Sequence, residues 1–381
     1  MFSQPIATAL EYKWTVITIG FLLYGVGLCI YRRFFHPLAK IPGPFLASVT
    51  KFYQSYYSAR FYLQVEKLHQ RYGPVVRITP NEVHLSDPEK YEKIYHMGSK
   101  FGKSANYYNA LCVPHSTFGT PSNEVHRIKR GALNTVFSRQ KVLDLERIVQ
   151  EKAYNVCKRV QEAIDVNVAA DLHHAFRAVS VDVISDFAFG ESYDFLDRPD
   201  LGETFFEMAR GIGPALWAFQ QFPSLQSLAL KTPPWMAPYL SKPLGYVTGM
   251  QMECVRQIEE VKAKNREGKD LGRHTIFTML LSPENKPNGY IVPDTMQLKD
   301  EAYSVLVAAA DTTGNAMTVA AFHVLDNPAI YQKLVAELES NFPSQTAELP
   351  YLELERLPYL VSIVGSLAYL TKLTRLAERG R

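Results

Sequence analysis

Residues 305–325 read VLVAAADTTGNAMTVAAFHVL, the middle of a helix expected from about Gln297 to Leu325. The segment is apolar on all sides, so it is expected to be buried along most of its length. Asp311, Thr312 and Thr313 interrupt it. An acid in such surroundings must be hydrogen-bonded, paired, or neutral with a raised pKa, because leaving its charge unsolvated is costly. Threonine hydroxyls bond back to the carbonyl one turn earlier, and with Gly314 beside them the helix can bend or open there. The small side chains of Ala308, Ala309 and Ala310 would let a flat ligand lie against it. By itself the pattern has two readings, a satisfied polar spot in a core or a functional site.

Outward from this helix the chain is mainly α. Residues 122–139, 142–164, 173–189 and 200–219 carry apolar residues at spacings of three and four, the helical period. Two stretches break the series. Residues 282–294 form a polar loop, whereas residues 220–242 hold Pro223, Pro233, Pro234 and Pro238 among Phe222, Leu225, Leu228, Trp235 and Met236. An apolar, proline-broken stretch needs a partner surface. It either packs in the core, dips into a membrane, or walls an apolar cavity. Nearer the N-terminus, a helix at 60–72 stops at Gly73-Pro74. The runs VVRI and EVHL then make a small β-hairpin about Thr79-Pro80-Asn81, and Asp87 caps a helix with Pro88 at its first position.

From Trp14 to Tyr31 the chain runs 18 residues without a charge, about the shortest helix that crosses a bilayer, and Arg32 and Arg33 follow. A cleaved signal peptide carries its positive charge on the other side of the apolar run. Residues 1–33 are therefore expected to be a transmembrane anchor, with the arginine pair and Lys40 placing the body in the cytosol by the positive-inside rule. A buried core helix is the alternative. Residues 34–50 follow as a hinge in which Pro37, Pro42 and Pro44 forbid a continuous helix.

Composition excludes several classes. Of the 381 residues 47% are hydrophobic and 21% charged, enough for a large core, and a net charge of +3 does not predict a nucleic-acid partner. Four cysteines, Cys29, Cys112, Cys157 and Cys254, form no C-x-x-C pair, which excludes a disulfide scaffold, a zinc finger and a dithiol redox site. No G-x-G-x-x-G, G-x-x-x-x-G-K, G-x-S-x-G or H-E-x-x-H string occurs.

The anchor, the basic hinge, the Ile41 to Pro44 turn, the helical body and the A-A-A-D-T-T segment together resemble the membrane-bound cytochrome P450 monooxygenases, particularly fungal ones. The resemblance runs in order to about Ile363. It implies a helical P450 domain over 51–363 and haem b as cofactor. It further implies a separate NADPH-dependent reductase as electron donor, and an apolar small-molecule substrate of secondary metabolism, of the terpenoid or polyketide class. The implied location is the endoplasmic reticulum membrane, with the body facing the cytosol.

In that family the central helix carries a small-Gly-x-acid-Thr pattern, matched here by Ala308 to Thr312 with alanine in place of the usual glycine. By resemblance, Asp311 and Thr312 form the acid and alcohol pair that relays protons, and Ala308 lies against the haem. An aromatic residue and an arginine four apart bind a haem propionate in the family. His126 and Arg130 stand at that spacing, His126 where tryptophan is usual.

Two family features are missing. After Leu357-Pro358-Tyr359-Leu360, the family's Glu-x-x-Arg pair would fall at 366 and 369, which hold Ser366 and Tyr369. No Phe-x-x-Gly-x-Arg-x-Cys-x-Gly loop occurs, so no axial cysteine is identified and no metal ligand is expected. Residues 364–381 are expected to be a divergent tail on a C-terminally truncated or frame-altered domain. The expectation is a chain inactive as a monooxygenase, with a non-catalytic membrane-anchored remnant, or an apolar-ligand or partner-binding protein, as the alternative.

Overall fold

A computed structural model describes residues 4–267, 275–284, 286–344 and 348–366. Among them, helices of more than ten residues are numbered α1 (Gln4–Ile30), α2 (Phe61–Tyr72), α3 (Asn123–Asn134), α4 (Glu146–Asp165) and α5 (Leu172–Phe189). They continue with α6 (Glu203–Gln221), α7 (Lys242–Arg266), α8 (Thr295–Asp326) and α9 (Pro328–Asn341). Strands β1 (Val75–Thr79) and β2 (Glu82–Leu85) form the one sheet among the described residues, an antiparallel hairpin pairing Val75 with Leu85 and Val76 with His84. The mainly helical class with a small hairpin is as expected. The tail from residue 367, with Tyr369, lies outside the described residues.

The chain divides into two compact units, residues 1–102 with 217–223, and residues 103–216 with 224–381. In the first, α1 continues into a π-helical turn at Tyr31–Phe35, and Tyr12–Phe35 is long and apolar enough to span a membrane with none of it buried. This excludes the buried-core alternative for the segment. The hinge is more than an extended spacer: after Pro44, residues Phe45–Val49 form a short helix whose Ala47, Ser48 and Val49 are buried. A side chain at Gly43 would put its Cβ 2.3 Å from the Arg77 carbonyl, and the Arg77 amide donates to the Pro42 carbonyl at 2.8 Å. Gly43 therefore lets the hinge lie directly on β1. In α2, Phe61, Val65 and Leu68 make the buried stripe at helical spacing, and Gly73, at φ +89°, ends the helix.

The second unit is built around α8, which packs along α5 and α7. Its main core joins Ala132, Leu133 and Val136 to Phe187, Phe189, Ile258, Ile276, Phe277, Leu298 and Leu306. Phe189 and Phe277 stack with ring centroids 5.0 Å apart. A second cluster holds Ala178 and Val181 of α5 against Ala310 of α8. Buried Asp182 accepts from the Phe195 and Leu196 amides at 2.8 and 3.1 Å, satisfying the free amides at the start of the short 3-10 helix Phe195–Asp197.

Some boundaries differ from the sequence expectation. The helix expected at 122–139 ends at Asn134, because the Ser138 hydroxyl caps a separate short helix at Arg139–Leu143. Residues 220–242 form short helices at Pro223–Lys231 and Ala237–Leu240, but Leu225, Leu228, Trp235, Tyr239 and Leu240 are exposed. Core packing, one of the three readings of this stretch, is excluded for these side chains.

Candidate functional site

Asp294 starts α8 with a capping box: its carboxylate accepts from the Gln297 amide and the Gln297 side chain returns the bond. The helix then runs unbroken through 32 residues, so Thr312 and Gly314 do not open it. Gly314 has a different task. A Cβ there would lie 2.6 Å from Arg177 Cγ and 2.8 Å from its Cα, so the bare glycine lets α5 and α8 touch. Ser180 Oγ adds a bond across the same junction to the Ala309 carbonyl, at 2.8 Å.

On the other side of the helix Ala308, Thr312, Asn315 and Ala316 are exposed, a stripe at spacings of three, four and eight. Burial along most of the helix was expected, but only its first half is enclosed. Uniform apolarity measures how much surface prefers to leave water, whereas α5 and α7 cover it from particular sides. The Thr312 hydroxyl donates to the Ala308 carbonyl at 2.8 Å, the back-bond expected for a helical threonine, which leaves the oxygen lone pairs facing outward.

Asp311 is the acid of the segment, and it is paired. Its Oδ1 accepts from Arg177 Nε at 2.6 Å and lies 3.6 Å from Arg210 Nε. The Arg177 side chain is 3% exposed and that of Asp311 50%, so a buried cation grips a carboxylate that still reaches solvent. Burial pushes the carboxyl pKa up, but the Arg177 hydrogen bond and the charges of Arg177 and Arg210 outweigh it and hold Asp311 below the usual range. His173 Nε2 contacts both arginines. Burial and then those two cations lower the His173 pKa, so its ring is a neutral acceptor. Arg177 and Arg210 were not singled out from sequence. The available signal was a lone arginine within the apolar run of α5, which demands a carboxylate somewhere.

The structure brings Ala308, Asp311 and Thr312 together on α8. His126 and Arg130 lie one turn apart on α3, as their spacing requires, and no hydrogen bond or ion pair joins either to Asp311 or Thr312 among the described residues. Arg130 is exposed, so its guanidinium is available to an anionic group. Burial, together with Lys103, Arg130 and Lys129, lowers the His126 pKa, so this ring is neutral near pH 7. A buried pair near the start of α8 escaped the sequence reading. Asp300 accepts from the His115 amide at 2.9 Å and Glu301 from the Thr117 amide at 2.6 Å, fastening that loop to the helix.

A haem held by thiolate needs a deprotonated cysteine beside it. Cys112 and Cys254 are both buried, and burial pushes their thiols up to about 11 and about 12, which favours the neutral form. Cys29 lies in α1 and Cys157 is exposed on α4. The open, small-residue stripe of α8 offers a face for a flat ligand and the exposed Arg130 a cation for an anionic group, whereas none of these cysteines suits the axial position. Among the described residues no group of three His, Cys, Asp or Glu side chains is placed to hold a metal ion.

Comparison with known proteins matches residues 37–365 to the family model for cytochrome P450. The chain is 30% identical to the cytochrome P450 monooxygenase macH of Penicillium terrestre over 92% of its own length and 70% of that protein. It is 32% identical to the conidiogenone synthase PchP450 of Penicillium rubens, over 96% of this chain and 73% of the other. It is 30% identical to the tryptophan 6-hydroxylase fscE of Fusarium equiseti, over 92% and 69%. With a family match over most of its length and relatives aligned along nearly all of it, this chain belongs to the cytochrome P450 family.

Proposed function

We propose that this chain is a membrane-anchored monooxygenase-family protein whose α8 stripe faces an apolar small molecule of secondary metabolism, of the terpenoid or polyketide class. Electrons come from a separate NADPH-dependent reductase, and the body faces the cytosol from the endoplasmic reticulum. Arg32 and Arg33, directly after the Tyr12–Phe35 span, support that orientation. The exposed apolar side chains of residues 223–240 support a second surface that meets lipid or substrate.

One observation carries the proposal: Thr312 on the open stripe stands next to a carboxylate that is both gripped by Arg177 and half open to water. Thr312 presents its lone pairs to the stripe, where its hydroxyl accepts a hydrogen bond and stays neutral. Asp311, ionised at neutral pH, takes up a proton from solvent once it parts from Arg177, gives that proton up toward the stripe, and as a carboxylate again is drawn back by Arg177 and Arg210. Arg130, with His126 beside it, is the proposed grip for a haem propionate. Haem, when bound in this family, supplies the oxidising chemistry.

A second reading is favoured by the cysteines. With Cys112 and Cys254 held as neutral thiols, the 381-residue polypeptide alone binds an apolar ligand or a partner without oxidising it. A reduced carbon-monoxide difference spectrum of the purified chain loaded with haem separates the two. The expected result is no Soret band of thiolate-ligated haem. Such a band would overturn the non-catalytic reading of this polypeptide and establish the oxidising one.

A further inference from the structure

Arg77 occupies β1 of the hairpin, in a position where alternation would place an ordinary strand residue, yet it is 1% exposed. Its Nη1 donates to the Arg32 carbonyl at 2.9 Å and its Nη2 to the Pro80 carbonyl at 2.8 Å, while its Nε is buried without a partner. Carbonyl oxygens solvate the guanidinium but do not neutralise it. Among the described residues no carboxylate forms an ion pair with Arg32, Arg33, Lys40 or Arg77. A buried charge with no opposite charge is costly, and here three further cations lie close in sequence or space.

The same residues enclose a cavity of about 170 Å³. Arg33, Lys40, Pro42, Gly43, Ser48 and Arg77 line it. Burial, and then repulsion from Arg33 and Arg32, lowers the Arg77 pKa. The position of the cavity indicates the source of the anion. Arg33 belongs to the last turn of the Tyr12–Phe35 span, so the cavity opens where that span leaves the hydrocarbon. Tyr31, Phe34, Phe35, Phe45 and Leu46 are exposed around this exit, side chains suited to the headgroup boundary.

We infer that the cavity between the end of the anchor, the Pro42-Gly43 hinge and β1 binds the phosphate of an anionic phospholipid headgroup. Arg33 and Lys40 close on the phosphate at the mouth while Arg77 supplies charge from the wall. The lipid thereby neutralises a cluster that the protein leaves unpaired, and it locks the hinge against β1. The inference rests on Tyr12–Phe35 being the anchor, and the test keeps the two apart.

The full chain in detergent is offered phosphatidic acid, phosphatidylcholine or inorganic phosphate, and retained ligand is counted by native mass spectrometry. Retention in detergent reports on the cavity, and carbonate extraction from membranes reports separately on the anchor. Phosphatidic acid is expected to be retained over phosphatidylcholine and to resist displacement by inorganic phosphate. Each surface cation contributes about fivefold to such binding, so Arg33→Ala with Lys40→Ala is expected to lower retention about twenty-fivefold. Lys67→Ala with Arg71→Ala, which removes the same charge from the exposed face of α2, is expected to leave retention unchanged. Equal losses in the two double variants, or equal retention of phosphatidylcholine, would overturn the site. Full displacement by inorganic phosphate would make the ligand a soluble anion and overturn the lipid assignment.

Discussion

The Arg177 side chain is nearly buried and, among the described residues, its one carboxylate partner is Asp311, so the consequence of losing the acid falls on the arginine. Asp311→Asn is expected to destabilise the fold by about 1–2 kcal/mol, discounted from the cost of breaking a fully buried pair because Asp311 is half exposed. Denaturant unfolding measures it. The pH dependence follows from the sign of the shift. The folded pKa of Asp311 is depressed, so its contribution is fully present above the unfolded value, about 3.9, and fades as pH falls through the folded one. Wild-type stability is therefore expected to begin falling toward that of Asp311→Asn below about pH 4, and to meet it only once the pH is below the folded pKa. Asp311 and Thr312 were legible in the sequence because an acid and a hydroxyl in an apolar helix demand an explanation. Their partner was not, because Arg177 lies 134 residues away and only the packing of α5 on α8 selects it.

The contact between α5 and α8 depends on the absence of a side chain at one position. Gly314→Ala places a methyl group against the Arg177 backbone, which the helix pair can relieve only by moving apart. The expected cost is about 1–3 kcal/mol, read as a lower melting temperature, with faster hydrogen exchange in both helices. From sequence, Gly314 suggested a place where the helix opens, since glycine is a poor helix former. Packing reverses that meaning, because a residue without a Cβ is also the one that admits a neighbouring backbone. The hairpin shows the same division. Its strands and its turn followed from alternation and from Pro80-Asn81, but the burial of Arg77 came only with the hinge folded over it.

Across the whole chain, α1 contributes nothing to a core, since no part of its apolar window is buried. Deleting residues 1–30 is expected to release the protein from membranes while leaving the melting temperature unchanged. Keeping Arg32 matters in that variant, because its carbonyl accepts from Arg77 and its guanidinium donates to the Val49 carbonyl. A fall in melting temperature on deletion would show that the helix packs on the body.

The sequence by itself determined the apolar span, the helical periods, the hairpin and the A-A-A-D-T-T segment that carries the family likeness. These depend on short-range properties: transfer of a continuous run from water, repeat spacing, caps and turn residues. Only the tertiary structure decided which side of α8 stays open, which arginines hold Asp311, that Arg77 is a buried cation, and that Cys112 and Cys254 are neutral thiols. Each of those depends on what distant segments bring to within a few ångströms, because burial and charge pairing are set by neighbours in space.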